Sequence, residues 1–414
     1  MRRRVVVTGL GAVSPVGNDV ATTWRSLLEG RSGGAPITKF DASSFAVRFA
    51  CEVKGFDVSP YMDRKEAKRS DPYTQYAMAA SVQAMQDAGF ADGTGYVPEA
   101  TGVIIGSGIG GLRTFEEQHK TYMEHGAKRI SPFFVPMFIS DIAAGVVSMR
   151  FNAKGPNLAV VSACATSAHA IGEAFRTIQY GDADVMIAGG SEAAVTAMAI
   201  GGFANMGALS TRNDAPESAS RPFDASRDGF VLGEGAGVVV LEALEHAQAR
   251  GARIYGEVVG YAATGDAYHL TGQPENHEGL QRAMRRCLAD AQLAPADVQY
   301  VNAHGTSTPL NDPNEARAIQ TVFGEHATAL SVSSTKSATG HMLGAAGAIE
   351  FIACAMAIGE QIVPPTINHH TPDPEITIDV TPNTPRRREL DVAISNSSGF
   401  GGHNVTLALR RFRA

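Results

Sequence analysis

Cysteine is scarce and scattered in this sequence: four residues, at 51, 164, 287 and 354, in a chain of 414. That spacing builds neither a disulfide framework nor a CxxC metal pattern, and it predicts a reducing, cytoplasmic compartment. A surplus of positive charge is also missing. With 35 Lys and Arg against 42 Asp and Glu the net charge is -7, so no broad basic surface is left for nucleic acid. Long unbroken hydrophobic runs are absent too. The basic start MRRR is followed by an apolar stretch broken at Thr8, Gly9 and Gly11, which reads as a first strand and turn, not as a signal peptide. The apolar segment from Val185 to Leu209 is interrupted by Gly189, Gly190, Ser191, Glu192 and Asn205, so it predicts a buried strand and helix and no membrane span. Low-complexity linkers are lacking, and 44% hydrophobic against 19% charged residues excludes a disordered chain.

What the chain has in abundance is glycine, 44 residues, which implies tight turns and close backbone approaches. Strand patterns at residues 4–8, 101–106, 157–163, 184–188 and 238–241 alternate with helical ones. The alternation resumes after residue 255, with strands at 255–261, 298–303, 330–334, 392–395 and 405–410 and helices at 280–291 and 344–358. Such alternation argues for an α/β protein with a largely parallel, buried sheet. Two halves of similar order, 1–254 and 255–414, suggest an internal duplication. The Pro-rich stretch from Pro364 to Pro385 is a loop inside the second half.

The segment NLAVVSACATSAHAIGEAFRTIQYG carries the sharpest local signal. Asn157 to Ala163 is strand-like, and from Ala165 the apolar residues Ala168, Ile171, Phe175 and Ile178 fall at helical spacing, with Gly181 as a stop. Cys164 therefore stands where a strand gives way to a helix. Free N–H groups at a helix start stabilise negative charge, so a thiol there is expected to ionise readily and to act as a nucleophile. The plainer reading of any unpaired cysteine is a small buried hydrophobe, and it is the one that suits Cys51, Cys287 and Cys354.

Two histidines occupy the corresponding place in the second half. His304 in VQYVNAHGTSTPLND lies just beyond a strand, at the edge where open α/β sheets bind ligands. His341 in SSTKSATGHMLGAAGAIEF precedes a helix. Either one alone is more often a hydrogen-bonded structural residue, whereas both together with Cys164 form a candidate catalytic set. Glu350, amid Ala, Ile and Phe, needs a buried partner, and Lys336 is the nearest in sequence.

Gly106, Gly108 and Gly111 match GxGxxG after a strand. No acidic residue ends a second strand about twenty residues later, which counts against a nicotinamide-binding dehydrogenase. The loop NSSGFGGHN at 396–404 runs into a strand, so its glycines suit close approach to a substrate and N–H donation to an oxyanion. Cys164, His169, His304, His341 and His403 have metal-ligating side chains, but their spacings match no zinc pattern.

Taken together, VVVTGLGAVSPVG, IGSGIGGL, ISPFFVP, SACATSAHAIGEA, YGDADVMIAGGSEA, LSTRND, RPFDASRDGFVLGEGAG, NAHGTSTPLND, STKSATGHMLGAAGAIE and GFGGHN closely resemble the thiolase-fold β-ketoacyl synthases over nearly the whole chain. The resemblance implies a five-layered αβαβα duplication, a homodimer as is usual in the family, and decarboxylative condensation of an acyl group with malonyl carrier protein, without metal or redox cofactor. It assigns Cys164 as nucleophile, His304 and His341 as its partners, Lys336 and Glu350 as their support, and the N–H groups of Cys164 and Phe400 as the oxyanion hole. It places Ile109, Phe203 and Phe400 at the acyl pocket and its gate, and Thr306 and Thr308 on the pantetheine arm. Lys65, Lys68, Arg69, Lys128 and Arg129 fall where the family docks an acidic acyl carrier protein.

Some positions depart from the family pattern. Ser398 stands where Phe is common, so that SGFGG looks more like the loop of polyketide ketosynthases; Gly207 stands where Arg is typical; Asn311 and Pro313 replace more usual residues. These bear on partner and chain length, not on the chemistry. A reversible thiolase would need a second catalytic cysteine in the C-terminal glycine loop, which instead carries Phe400 and His403. A non-catalytic chain-length partner would lack the nucleophile. A catalytic polyketide ketosynthase would use the same residues.

Overall fold

A computed structural model of the chain describes residues 2–90 and 93–413. Ten strands form its main sheet. They are β1 (Val5–Val13), β2 (Thr101–Gly106), β3 (Asn157–Leu158), β4 (Val185–Glu192), β5 (Gly235–Ala243), β6 (Gly256–Gly265), β7 (Tyr300–Asn302), β8 (Ser331–Ser333), β9 (Val392–Gly399) and β10 (His403–Arg410). The helices that matter for the site are α1 (Pro72–Asp87), α2 (Thr166–Tyr180), α3 (Glu278–Ala291), α4 (Asn311–Phe323) and α5 (Ala346–Glu360).

The strand order β8-β7-β9-β10-β6-β1-β5-β4-β2-β3 contains one pattern twice. In the first half β4 pairs in parallel with β2 and β2 with β3, while β1–β5 and β5–β4 are antiparallel. In the second half β9–β7 and β7–β8 are parallel and β6–β10 and β10–β9 antiparallel. The two sets meet along β1 and β6, through the register Val5↔Val258 to Val7↔Gly256. The first set ends with β5 at Ala243 and the second begins with β6 at Gly256.

Side-chain alternation explains the layers. Val103, Ile105, Val185, Ile187, Val238 and Val240 face one cluster with α1, whereas Ile104, Met186, Ala188, Val239 and Leu241 face another with α2 and α5. In the second half Val301, Val332 and Ile394 pack with α3 and α4, while Ala393, Leu407 and Leu409 join the α2–α5 cluster. A period of two puts successive residues on opposite faces, so each five-stranded set lies between an outer helix layer and the shared central pair. The result is the five-layered thiolase-like α/β fold. Close packing at the centre requires glycine at Gly237, where a Cβ would come 2.9 Å from the Ala348 Cβ.

Three sequence expectations change here. The sheet read as largely parallel is mixed, with five antiparallel pairings against four parallel ones, because the strands next to the junction of the two halves run antiparallel to their neighbours. The strand read over 157–163 is only Asn157–Leu158; the chain then runs to a 3₁₀ turn at Ala163–Ala165 before α2. Pairing with β2 ends at Leu158, residues 159–162 lie outside the sheet, and Ala163 takes a left-handed φ of 50° at the 3₁₀ turn. The loop read from residue 396 is instead the end of β9, and residues 396–404 form a hairpin with Gly399 opposite His403. Among the described residues one helix, Leu343–Glu360, is long and apolar enough to cross a membrane, and 83% of it is buried in the fold, the signature of a core helix.

Candidate active site

The central helix pair builds the site. α2 starts at Thr166 and ends on Gly181, which is left-handed and donates to Ile178, so Cys164 is held just before the N-terminus of a fully supported helix. The side chain is 7% exposed and lies at the wall of a cavity of about 480 Å³ shared with His304, His341 and Phe400. The Phe400 N–H is near enough to the Cys164 sulfur to favour its thiolate form. Gly399 permits this approach, since a Cβ there would stand 2.6 Å from the Ser162 carbonyl oxygen.

The second half presents the histidines in the same way. His304 follows β7, and its N–H and that of Gly305 both donate to Glu315 of α4, each at 2.8 Å. His341 donates its N–H to the Val231 carbonyl at 2.7 Å. The two imidazoles meet edge to face with ring centres 5.4 Å apart, and Phe230 closes on His341 at 5.3 Å. Each histidine is 3% exposed. Lys336 and Glu350 form a buried ion pair, and the Lys336 Nζ also lies 3.5 Å from Nδ1 of His304.

Electrostatics here are dominated by burial. Loss of water pushes both imidazoles well below their usual pKa, and the Lys336 charge pushes them the same way. They are therefore neutral, and each keeps one N–H to donate. A cation at Nδ1 leaves His304 with its proton on Nε2. Burial likewise pushes the Cys164 thiol up to about 12, against the opposing pull of Lys336 and the Phe400 N–H. The expectation of a readily ionised thiol is corrected: the position before the helix is as read, but desolvation outweighs the local dipoles in the resting site.

Ile109, Phe203, Phe400, Thr306 and Thr308 all line the same cavity. The Thr306 and Thr308 hydroxyls are 2.9 Å apart. Asn311 and Ser398 line it as well, and Asn311 accepts from the Gln273 amide at 2.7 Å. Lys65, Lys68, Arg69, Lys128 and Arg129 lie outside on the surface, all exposed. The Arg69 guanidinium stacks 4.1 Å from the Phe133 ring centre, which draws the two basic segments toward one another.

The five metal-type side chains separate into two places. His169 bonds the Ser162 hydroxyl at 2.7 Å and packs on His403, while His304 and His341 face Cys164. Among the described residues no group of three or more His, Cys, Asp or Glu is arranged to hold a metal ion. The GxGxxG loop is occupied by protein: the N–H groups of Gly108 and Ile109 and the Ser107 hydroxyl donate to Glu192 at 2.9, 3.2 and 2.9 Å.

Sequence reading missed Glu192, Glu315 and His277. Glu192 also accepts from the Gly344 N–H at 3.0 Å, so one carboxylate ties the Ile109 loop to the segment after His341. Burial pushes both Glu192 and Glu315 up to about 7. A carboxylate inside an apolar run must be paired or hydrogen-bonded, and the signal that marks Glu350 marks Glu192 in MIAGGSEA equally.

The family described as "Beta-ketoacyl synthase, N-terminal domain" matches residues 2–247, and "Beta-ketoacyl synthase, C-terminal domain" matches residues 255–370. The chain is 54% identical over 412 residues to a 3-oxoacyl-[acyl-carrier-protein] synthase 2 of Staphylococcus aureus, covering 100% of this chain and 99% of that one. A protein of the same name from Synechocystis is 53% identical over the same shares. Among solved structures, a beta-ketoacyl synthase from Burkholderia phymatum superposes with a TM-score of 0.92 at 36% identity, both chains fully covered. A type II polyketide ketosynthase bound to its acyl-carrier protein and a hexaketide gives the same TM-score, identity and coverage.

Proposed function

The chain belongs to the beta-ketoacyl synthase family, and on that premise we propose that it acts as a 3-oxoacyl-[acyl-carrier-protein] synthase of the second type in fatty-acid chain elongation. It is a condensing acyltransferase. The observation that carries the reading is the convergence of the Cys164 sulfur, the Phe400 N–H and two neutral imidazoles on one largely apolar cavity.

The reaction follows from these groups. The Cys164 sulfur bonds to the carbonyl carbon of an acyl carrier thioester, the carbon–sulfur bond to the carrier breaks, and the carrier thiol leaves with the proton Cys164 gave up. The tetrahedral oxyanion sits against the N–H groups of Cys164 and Phe400, and a donor of this kind is worth about 3–4 kcal/mol. Malonyl carrier thioester then enters past Thr306 and Thr308. Its carbon–carboxylate bond breaks, carbon dioxide leaves, and the enolate oxygen accepts from His304 and His341. That carbanion bonds to the acyl carbon and expels the Cys164 thiolate, giving the 3-oxoacyl product. Neutral imidazoles suit donation to an enolate, and Lys336 with Glu350 keeps His304 in the donating tautomer. This cycle calls on no metal or redox group.

The partner is an acyl carrier protein, for which the exposed cations Lys65, Lys68, Arg69, Lys128 and Arg129 form a docking patch. A homodimer is supported by β3, whose Asn157 and Leu158 are both exposed at the sheet edge beside exposed Met149 and Val161; such an edge invites pairing. Four free buried thiols support a reducing, cytoplasmic setting. Ser398 at the cavity favours the second reading, a ketosynthase of a specialised polyketide pathway.

The test mixes the protein with malonyl carrier protein and saturated acyl carrier proteins of several lengths and follows 3-oxoacyl product by mass spectrometry. Turnover with saturated chains is expected. Cys164→Ala is expected to abolish both acylation and condensation, and retained condensation would refute the nucleophile assignment.

A further inference from the structure

Behind the Phe400 turn lies a buried polar network that the reaction above does not use. Asn404 is its centre. Its Oδ1 accepts from the Ser398 hydroxyl at 2.9 Å and lies 3.0 Å from Nε2 of His277. Its Nδ2 donates to Asp266 at 2.6 Å. The Ser398 Oγ and the His277 Nε2 are themselves 3.3 Å apart. Because the Asn404 oxygen can only accept, His277 carries its proton on Nε2, which leaves Nδ1 without a partner among the described residues.

His277 is an improbable residue for this place on local grounds. It is fully buried, it takes a left-handed φ of 49° just before α3, and burial pushes its pKa down to about 4. A bulky residue at positive φ and an orphaned ring nitrogen both cost stability. Such costs persist where the surroundings hold the residue in place. The surroundings here are the hairpin that carries Phe400. Ser398 is the next-to-last residue of β9, Asn404 is the second of β10, and the segment after β6 grips the turn from outside, with Asp266 N–H donating to Gly402 at 2.9 Å and Leu270 accepting from Gly401 at 2.7 Å.

We propose that Ser398 and His277 are a matched pair of positioning residues: the small hydroxyl leaves room for the imidazole, and together they hold Asn404 and so set where the Phe400 N–H meets the Cys164 sulfur. The inference rests on the reading of Cys164 as nucleophile. It assigns a consequence to the Phe-to-Ser departure at 398. A phenyl ring on that position, extended along the Ser398 Cβ–Oγ direction, meets the His277 ring; turned the other way it enters the acyl cavity that Ser398 lines. Either course moves the turn or fills the pocket. Removing the imidazole opens the first course again, and glycine at 277 does so without strain because it accepts positive φ.

The test is a double-mutant cycle of Ser398→Phe and His277→Gly, read by the rate at which iodoacetamide alkylates Cys164 as a function of pH, followed on the Cys164 peptide by mass spectrometry. The Phe400 N–H favours the thiolate, so losing it shifts the alkylation profile to higher pH. Ser398→Phe is expected to slow alkylation at fixed pH by about tenfold, and the added His277→Gly to return most of that loss. A wild-type profile for Ser398→Phe, or single losses that simply multiply in the double variant, overturns the pairing. Should Ser398→Phe fail to fold, His277→Asn serves instead, since asparagine tolerates the left-handed backbone but withdraws the ring; an unshifted profile in that variant also overturns it. Wild-type condensation is assayed alongside. A coupled cycle in a protein that does not condense sinks the functional reading alone, and additive losses in one that does condense sink the pair alone.

Discussion

Gly399 lies so close to the nucleophile that a Cβ on it would stand 3.1 Å from the backbone nitrogen of Cys164. The second half of the chain thus touches the first at the atoms proposed to hold the oxyanion. Gly399→Ala forces the hairpin away from the Ala163–Ala165 turn. Loss of one well-placed oxyanion donor lowers turnover about 100-fold or more, so kcat is expected to fall on that scale while the unfolding midpoint moves little. An unchanged kcat would remove the Phe400 N–H from the mechanism.

Lys336 and Glu350 share a fully buried site, and the second carboxylate oxygen of Glu350 has no partner among the described residues. Lys336→Met strands the Glu350 charge. Breaking a buried pair from one side costs about 3–5 kcal/mol, whereas Lys336→Met with Glu350→Gln recovers most of it. Urea unfolding of the two variants decides this. The single variant also loses the cation that favours the Cys164 thiolate, so its Cys164 alkylation profile shifts to higher pH.

Glu192 gives a pH prediction with a definite sign. Burial raises its folded pKa from 4.5 to about 7, so the folded state holds a proton that the unfolded state releases. Its contribution is full below pH about 4.5 and is lost as pH rises to about 7, a change of about 3 kcal/mol. Glu192→Gln lacks this titration. Its stability relative to wild type is expected to rise by about that amount between pH 4.5 and 7.5, measured by urea unfolding at each pH. Its activity falls at every pH, because glutamine offers one acceptor oxygen to the four donors from Ser107, Gly108, Ile109 and Gly344. A stability difference that does not vary with pH would show that Glu192 keeps an ordinary pKa.

The basic patch is fully solvated, so it should act on encounter and not on chemistry. Lys65→Glu with Arg69→Glu is expected to raise KM for acyl carrier protein several-fold at low salt and leave kcat intact. The effect should fade as salt is added, because exposed charges are screened over about 10 Å at 0.1 M. A fall in kcat with KM unchanged would assign those residues elsewhere.

Strand and helix order was legible from hydrophobic period alone, and nine of the ten main-sheet strands begin within two residues of where the alternation puts them. The misses have local causes. The strand before Cys164 stops at Leu158, where its pairing with β2 ends, although the apolar run continues to Ala163. β5 begins three residues early, at Gly235, because its register against β4 and β1 extends past the Val238–Leu241 run into glycine and alanine. Cys164, His304, His341, Lys336 and Glu350, singled out by their places after a strand or inside an apolar helix, are brought together by the fold at one site. His277 and Ser398 were not legible as a pair, since they stand 121 positions apart and neither belongs to a periodic pattern.

The amino-acid sequence by itself determined the α/β class and the duplicated order of elements, and it singled out the candidate site side chains, because periodicity and residue type are local properties. Tertiary structure alone decided the protonation of those side chains and the approach of Phe400 to Cys164. Both depend on how much water the packed halves exclude and on which distant carboxylates, cations and amides the folding brings within reach. The helix start that should favour a thiolate is present, yet the same packing that places it there buries the sulfur, and burial is the stronger effect.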